Sequence, residues 1–135
     1  MELYKGGIVP LADFVNMPYD RDILVRVIVK KTAAHYSYKS VRISKTDFPV
    51  LTCAAALTQE GVQAAVGARP AKAALVKDAE QLATLPMSAE KAQAFAEYAA
   101  GLLPTETNPR GSAAYRTHLI KVLTARCLTE LGGKA

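Results

Sequence analysis

The sequence predicts an α+β domain, in which an antiparallel sheet of three to four strands is covered on one face by three C-terminal helices. Two patterns support this fold class. Short apolar runs bounded by turn residues fill residues 23–67, and from residue 77 onward the apolar residues recur at helical spacing. Strands that come first and helices that follow are typical of an antiparallel sheet with helices on one side. A length of 135 residues suits a single core of this kind.

The strands are predicted from alternation and turn residues. Residues 23–30 alternate, with four β-branched side chains on one face, and are predicted to have one core face and one partly wet face. The runs PVLTCAAAL and VQAAVGA are joined at Thr58-Gln59-Glu60-Gly61, which indicates a hairpin. Two further strands are predicted on either side of this hairpin, at residues 36–42 and 73–76.

The helices are predicted from spacing and capping residues. A short helix is expected over residues 77–84. Ser88 is a candidate N-cap for a helix over residues 89–103, with Phe95, Ala99 and Leu102 on its apolar stripe. The last helix is predicted to begin near Ser112 and to run to residue 131, where two glycines end it.

The N-terminal residues predict a small separate element. Residues 1–9 form a candidate hairpin about Gly6-Gly7, because glycine permits the positive φ of a tight turn. Pro10 can open one helical turn over residues 11–15. A hairpin of this size is not stable alone in water, so we expect it to be the edge of a larger structure.

Composition excludes several classes of function. The net charge of +5 is modest and spread along the chain, so nucleic acid is not an expected partner. No apolar segment approaches membrane-spanning length, and we expect a cytoplasmic protein without membrane contact. Cys53 and Cys127 lie in apolar runs and are predicted to be buried free thiols. His35 and His118 lack ligand partners at metal-binding spacing, so no metal site is expected.

Four stretches together resemble a known family. They are VPLADF, ILVRVIV, YSYKSVRISKTDFPVLTCAAAL and NPRGSAAYRTHLIKVLTARCL, which span residues 9–128 in this order. The last is similar to an "RGS-x-x-YR-x-x-L" helix, and the third to a "Y-x-K, basic run, D-F" segment. Both are features of the C-terminal domain of the FAD-binding (medium) subunit of molybdenum hydroxylases. That group includes the flavoproteins of aerobic carbon monoxide dehydrogenase and xanthine dehydrogenase.

The resemblance implies the same α+β fold and a domain that packs on an FAD-binding domain. Residues 1–20 would then be a remnant hairpin and linker from the end of that FAD-binding domain, and residues 21–133 the C-terminal-like domain. Lys39 matches the lysine of "Y-x-K", which approaches the flavin, and Tyr36 is a second candidate for the FAD edge. The sequence departs from the family in lacking glycine-rich segments for the FAD pyrophosphate. It also shortens the "GYRKT" loop to Asn16-Met17-Pro18-Tyr19.

The function implied is that of a structural, flavin-flanking domain of an electron-transfer subunit in a xanthine or carbon monoxide dehydrogenase-type oxidoreductase. No catalytic residue and no activity in isolation are expected. FAD belongs to the complete subunit and is not expected to bind this chain alone. The implied partners are the upstream FAD-binding domain and the iron-sulfur and molybdopterin subunits, with a homodimer as a further possibility. The alternative from another class is a stand-alone interaction module that uses a basic strand edge.

Several of these residues also have a purely structural interpretation. Lys39 can be a strand lysine that extends its amine to water. Arg42 and Lys45 fit a solvated basic edge, and Asp47 fits a carboxylate that accepts local backbone N–H groups. Arg110 and Ser112 at the start of the last helix fit backbone fixing and capping.

Overall fold

The computed structural model describes residues 1–32 and 34–133. The chain divides into two compact units, Met1–Thr32 and Ala33–Ala135. The division falls after the strand near residue 25 because that strand pairs with the N-terminal hairpin. The first unit therefore contains residues 1–20 together with this strand.

The first unit is a three-stranded antiparallel sheet. Strand β1 (Glu2–Leu3) lies between β2 (Gly7–Ile8) and β3 (Leu24–Arg26), and a single helical turn, α1 (Leu11–Phe14), follows β2. Gly7 has φ +67°, so the glycine supplies the backbone conformation that the hairpin turn needs. The hairpin and the helical turn after Pro10 are both as the sequence predicts.

The prediction of a long strand at residues 23–30 with one core face is wrong in extent and in burial. Only Leu24–Arg26 is strand, and it belongs to the first unit rather than to the main sheet. The alternating side chains of the predicted core face are all more than half exposed; they are Ile23, Val25, Val27 and Val29. Alternation identifies the faces of a strand, but burial depends on what packs against them.

The second unit contains a four-stranded antiparallel meander. Its strands follow chain order: β4 (His35–Val41), β5 (Leu51–Thr58), β6 (Gly61–Gly67) and β7 (Ala74–Lys77). The β5–β6 turn is the predicted one, with Thr58 paired to Gly61, which has φ +109°. The α+β class and the four-stranded sheet are confirmed.

Two long helices follow the sheet instead of three. Helix α2 (Ala89–Leu102) begins at Ser88, whose Oγ accepts the N–H of Lys91 at 3.2 Å. Helix α3 (Ala113–Gly132) begins at Ser112, whose Oγ accepts the N–H of Tyr115 at 3.2 Å. Both predicted caps are confirmed.

The predicted helix over residues 77–84 is wrong. Lys77 is the last residue of β7, and the Asp78 carboxylate then accepts the N–H groups of Leu82 and Ala83 at 2.9 and 2.8 Å. Gln81 has φ +55°, which a right-handed helix does not accommodate. The side-chain turn therefore replaces the helix, as aspartate often does outside regular structure.

The core of the second unit lies between the sheet and the helices. Helix α3 packs on β4 and β5, and α2 packs on α3. Alanine supplies much of the buried surface, which lets the elements approach closely; the fully buried or nearly buried alanines include Ala55, Ala64, Ala92, Ala96 and Ala99. Leu102 was expected on the apolar stripe of α2 but is 54% exposed, and Leu103 is buried instead. The end of α3 lies close to the segment before α2, because a Cβ added at Gly132 would be only 2.5 Å from Cβ of Met87.

Candidate functional site

The two predicted cofactor-edge residues lie on β4, the edge strand of the main sheet, but on opposite faces. Lys39 is opposite Cys53 in the register and shares the face that α3 covers. Tyr36 is opposite Ala56 and belongs to the other face, because side chains alternate along a strand. Any group that contacts both side chains would have to approach β4 from its edge.

Lys39 forms an ion pair that the sequence does not reveal. Its Nζ donates to Oε2 of Glu130 at 2.7 Å, and Oγ of Ser37 donates to the same oxygen at 3.0 Å. The hydrogen bond to the Glu130 carboxylate raises the pKa of Lys39 against the opposing effect of desolvation. Both side chains of the pair are about one-third exposed, so the pair lies at the margin of the core, within reach of solvent.

A pair of cysteines lies next to this ion pair. Cys53 on β5 and Cys127 on α3 are free and fully buried, as the sequence predicts. Sγ of Cys127 lies 3.9 Å from the Cys53 carbonyl oxygen, and Sγ of Cys53 lies 3.4 Å from Oγ1 of Thr124. The Cys127 side chain therefore lies beside Cys53, on the face of β5 that α3 covers.

The surroundings of the two thiols move their pKa values in opposite directions. The hydrogen bond with Cys53, helped by Ser37 and by the positive charge of Lys39, lowers the pKa of Cys127 to about 7, although burial opposes this. The contact with Cys127, together with burial, raises the pKa of the Cys53 thiol. Cys127 is therefore the member of the pair that ionises first.

The face of the sheet opposite α3 carries small residues beside two tyrosines. Tyr38 is aligned with Ala54, Ala65 and Leu75 across the four strands. Tyr36 and Tyr38 are two residues apart on this face and each is 60% exposed. Two exposed aromatic side chains next to a row of small alanine side chains form a flat apolar surface.

The loop between β4 and β5 holds the remaining basic residues that the sequence singled out. Nη1 of Arg42 donates to the Asp47 carbonyl oxygen at 2.7 Å, and the Asp47 carboxylate accepts the N–H of Phe48 at 2.7 Å. Arg110 reaches this loop from before α3, with its guanidinium 5.4 Å from the Phe48 ring centre and 3.5 Å from Oδ1 of Asp47. The local backbone role expected of Asp47 is confirmed.

Sequence reasoning missed Arg116, the largest fully buried side chain of the core. Its Nε donates to the Val50 carbonyl oxygen at 3.0 Å, and Nη2 donates to Oδ1 of Asn108 at 2.7 Å. Nη1 donates to the carbonyl oxygens of Glu106 and Gly111 at 2.7 and 2.9 Å. An arginine at a position of helical spacing next to apolar residues was the available signal. Its role is to fasten the loop before α3 to the start of β5.

These residues do not form a complete cofactor or metal site. At the start of each long helix, a serine side chain accepts one of the helix's own N–H groups, and no glycine-rich loop precedes it. Neither helix start therefore has the loop that usually binds a pyrophosphate. Over residues 1–32 and 34–133, no three His, Cys, Asp or Glu side chains converge as metal ligands do. Within the same ranges, no helix combines the length and the apolar character that crossing a membrane requires.

The fold and the arrangement of motifs define a class: a four-stranded antiparallel meander backed by two helices, with a buried arginine fastening the last helix. Residues 36–131 match the family described as the CO dehydrogenase flavoprotein C-terminal domain. The chain belongs to this family. The match includes β4 with Lys39 and Tyr36, and it ends near the last turn of α3.

Solved structures share the fold. Quinoline 2-oxidoreductase from Pseudomonas putida 86 is similar with a TM-score of 0.63 and 23% identity, over 77% of this chain and 39% of that chain. A carbon monoxide dehydrogenase from Hydrogenophaga pseudoflava that lacks the Mo-pyranopterin moiety is similar with a TM-score of 0.63 and 20% identity, over 76% of this chain and 38% of that chain. The chain thus spans about two-fifths of the length of these structures. No curated protein matches it.

Proposed function

We propose that this chain acts as the C-terminal, flavin-flanking domain of an FAD-binding electron-transfer subunit in a xanthine or carbon monoxide dehydrogenase-type oxidoreductase. It is not catalytic alone. The observation that carries the proposal is the family match over residues 36–131, which includes the β4 segment with Tyr36 and Lys39. This membership favours the flavin-flanking domain over a stand-alone interaction module.

The chain's own residues fit one edge of a flavin site and not a whole site. The described residues provide no pyrophosphate cradle, so a separate FAD-binding domain has to hold the dinucleotide. What this chain offers is β4, with a lysine on one face and exposed tyrosines on the other. When bound, FAD supplies the redox chemistry, and the protein supplies position and electrostatics. Lys39 would place a positive charge at the edge of such a site, partly compensated by Glu130.

The exposed apolar surface of the first unit supports a partner domain. Its exposed side chains include Ile8, Leu11, Ile23, Val25, Val27 and Val29. Large exposed apolar areas often mark an interface, and these exposed side chains all fall within the 32 residues of the first unit. We propose that residues 1–20 correspond to the end of an FAD-binding domain and that the rest of that domain covers this surface, with a homodimer as the outcome when it is missing. Iron-sulfur and molybdopterin subunits would complete a cytoplasmic complex, as the resemblance to molybdenum hydroxylases implies.

The first test is flavin binding by the chain alone. Because the pyrophosphate cradle is missing, we expect the purified chain to be colourless and to leave the fluorescence of FAD unchanged at micromolar concentration. The same titration in the presence of a co-expressed FAD-binding domain is expected to give a flavin complex. A saturating fluorescence change with the chain alone would contradict this division of roles.

The second test measures the flavin reduction potential in that complex. Lys39→Ala should lower the potential, because removing a cation disfavours the anionic reduced flavin, and Glu130→Gln should raise it by the opposite change. Lys121 is a matched control, since it also pairs with a glutamate on a helix, Glu97, away from β4. Equal potentials for Lys39→Ala and Lys121→Ala in an intact complex would remove Lys39 from the flavin edge.

A further inference from the structure

Cys53 and Cys127 lie in a polar cluster in the core between β4, β5 and α3. The cluster is built from three elements: β4 contributes Ser37 and Lys39, β5 contributes Cys53, and α3 contributes Thr124, Cys127 and Glu130. A cysteine that serves only as a small apolar core residue has no need of a hydroxyl, a cation and a second thiol around it. The proposed flavin role uses only Lys39 and Glu130 of this cluster and gives no role to the two cysteines.

We propose that Cys53 and Cys127 form a peroxide-oxidisable thiol pair, whose disulfide joins β5 to α3 beneath the Lys39–Glu130 ion pair. The proposal does not depend on the proposed flavin function. It rests on the position of two free, buried cysteines beside each other, with Sγ of Cys127 3.9 Å from the Cys53 carbonyl oxygen, and on the pairing of Cys53 with Lys39 of the edge strand. The two residues are 74 positions apart in the chain, so the bond would close a long loop.

The roles of the two sulfurs follow from their surroundings. Cys127 is the attacking thiol, because Cys53, Ser37 and Lys39 lower the pKa of its thiol and favour the thiolate, against burial and the Glu130 charge. Cys53 keeps its proton, since the pKa of its thiol is raised. Its position beside the Cys127 side chain makes it the resolving thiol, and it has to release this proton as its sulfur attacks.

The oxidant is hydrogen peroxide, which is not much larger than water. The Cys127 thiolate attacks one peroxide oxygen; an S–O bond forms, the O–O bond breaks, and hydroxide leaves and is protonated to water. The Cys53 sulfur then attacks the Cys127 sulfenic acid; an S–S bond forms, the S–O bond breaks, and the hydroxide takes the Cys53 proton and leaves as water. Two thiols and one peroxide thus give one disulfide and two waters.

Access to Cys127 is controlled at the edge of the sheet. Both sulfurs are fully buried, but the Lys39–Glu130 pair beside them is partly exposed. Short opening of this pair would admit a small oxidant and exclude larger alkylating reagents. The native chain should therefore be oxidised by peroxide while reacting slowly with iodoacetamide.

The test is intact mass spectrometry of the reduced chain after treatment with hydrogen peroxide, followed by denaturation and alkylation of the remaining thiols. We expect both thiols to be lost together, with a mass decrease of about 2 Da that dithiothreitol reverses, in a monomeric product whose unfolding midpoint in urea is raised. Independent gains of about 16 Da per cysteine without a cross-link would overturn the proposal. Intermolecular cross-links, or two intact thiols after peroxide that fully oxidises glutathione in the same buffer, would overturn it as well.

Cysteine variants then test the assignment of roles. In Cys53→Ala, Cys127 should form a sulfenic acid that dimedone traps, because the resolving thiol is missing. In Cys127→Ala, Cys53 should stay reduced under the same treatment. Trapping at Cys53 rather than at Cys127 would reverse the roles and contradict the assignment. The wild-type measurement stands by itself if either variant fails to fold.

Charge variants distinguish two effects on the oxidation rate: the charge next to the Cys127 thiol and the opening of the Lys39–Glu130 ion pair. Lys39→Ala should slow oxidation about threefold or more, because it removes a cation that favours the thiolate, whereas Glu130→Gln should accelerate it. Loss of either partner opens the same ion pair, so an effect of opening alone would accelerate both variants. Lys121→Ala should oxidise at the wild-type rate. Acceleration in both Lys39→Ala and Glu130→Gln would show that access, and not charge, sets the rate, and would contradict the role given to Lys39.

Discussion

The two ends of α3 are fastened to the β4–β5 region in different ways. Near its start, the buried guanidinium of Arg116 donates only to neutral acceptors, three carbonyl oxygens and the Asn108 side chain. Near its end, Glu130 meets Lys39 and Ser37 in an ion pair that solvent can reach. The first end has a fixed geometry and no countercharge. The second has opposite charges that can be separated at small cost.

The difference matters because burial decides what a charge contributes. The buried guanidinium of Arg116 has lost its hydration, so its N–H groups need protein acceptors in place of water. The loop before α3 supplies most of these acceptors and is therefore held in one conformation. A partly exposed ion pair is screened by water and contributes little to stability. It can nevertheless impose a local field, as on the Cys127 thiol. The start of α3 is thus structural, and the end is suited to electrostatic function.

The largest expected effect is at the start of α3. Arg116→Ala should lower the free energy of unfolding by about 3–5 kcal/mol, because it removes all the hydrogen bonds of a buried charged group and leaves its acceptors unpaired. The measurement is urea unfolding monitored by circular dichroism. Arg126→Ala on the exposed side of the same helix should change stability by less than about 0.5 kcal/mol. Similar midpoints for the two variants would show that Arg116 does not fasten the loop.

The middle of α3 comes next. Leu119 is buried in the core cluster, so Leu119→Ala should cost about 2–5 kcal/mol as a large-to-small core change. Leu102→Ala at the exposed end of α2 is the matched control and should cost much less. If both variants shift the urea midpoint equally, the buried face of α3 is assigned incorrectly.

The smallest effect on stability is expected at the end of α3. Lys39→Met and Glu130→Gln should each shift the urea midpoint less than Leu119→Ala does, because solvent screens the ion pair that they break. The double variant should behave like either single one, since one interaction is lost in all three. A loss comparable to that of Arg116→Ala would mean that both ends of α3 are structural, and the comparison would fail.

The sequence predicted the features that depend on neighbours along the chain. Ser88 and Ser112 cap helices because each side chain accepts an N–H only three residues away. The β5–β6 hairpin likewise follows from its turn and from the apolar runs beside it. The motif around Lys39 also depends only on neighbouring residues, so it indicates the family without any knowledge of the contacts of Lys39.

Local patterns also explain the two wrong predictions of secondary structure. The alternation at residues 23–30 gives the faces of a strand, but only residues 24–26 pair with β1, and the side chains of the predicted core face are exposed. The spacing over residues 77–84 is helical, but no helix forms there, because the Asp78 side chain accepts the local N–H groups and Gln81 has a left-handed backbone. In both segments, strand pairing or side-chain hydrogen bonds that the apolar spacing does not encode determined the structure.

Only the tertiary structure decided the partners of the functional side chains. Lys39 and Glu130 are 91 residues apart, Cys53 and Cys127 are 74 apart, and Arg116 reaches Val50 across 66. Spacing along the chain determines which side of a strand or helix a residue occupies, but not which element lies opposite. That choice was made when α3 packed on β4 and β5, because hydrophobic burial selects the packing and the polar side chains then pair with whatever it brings within reach.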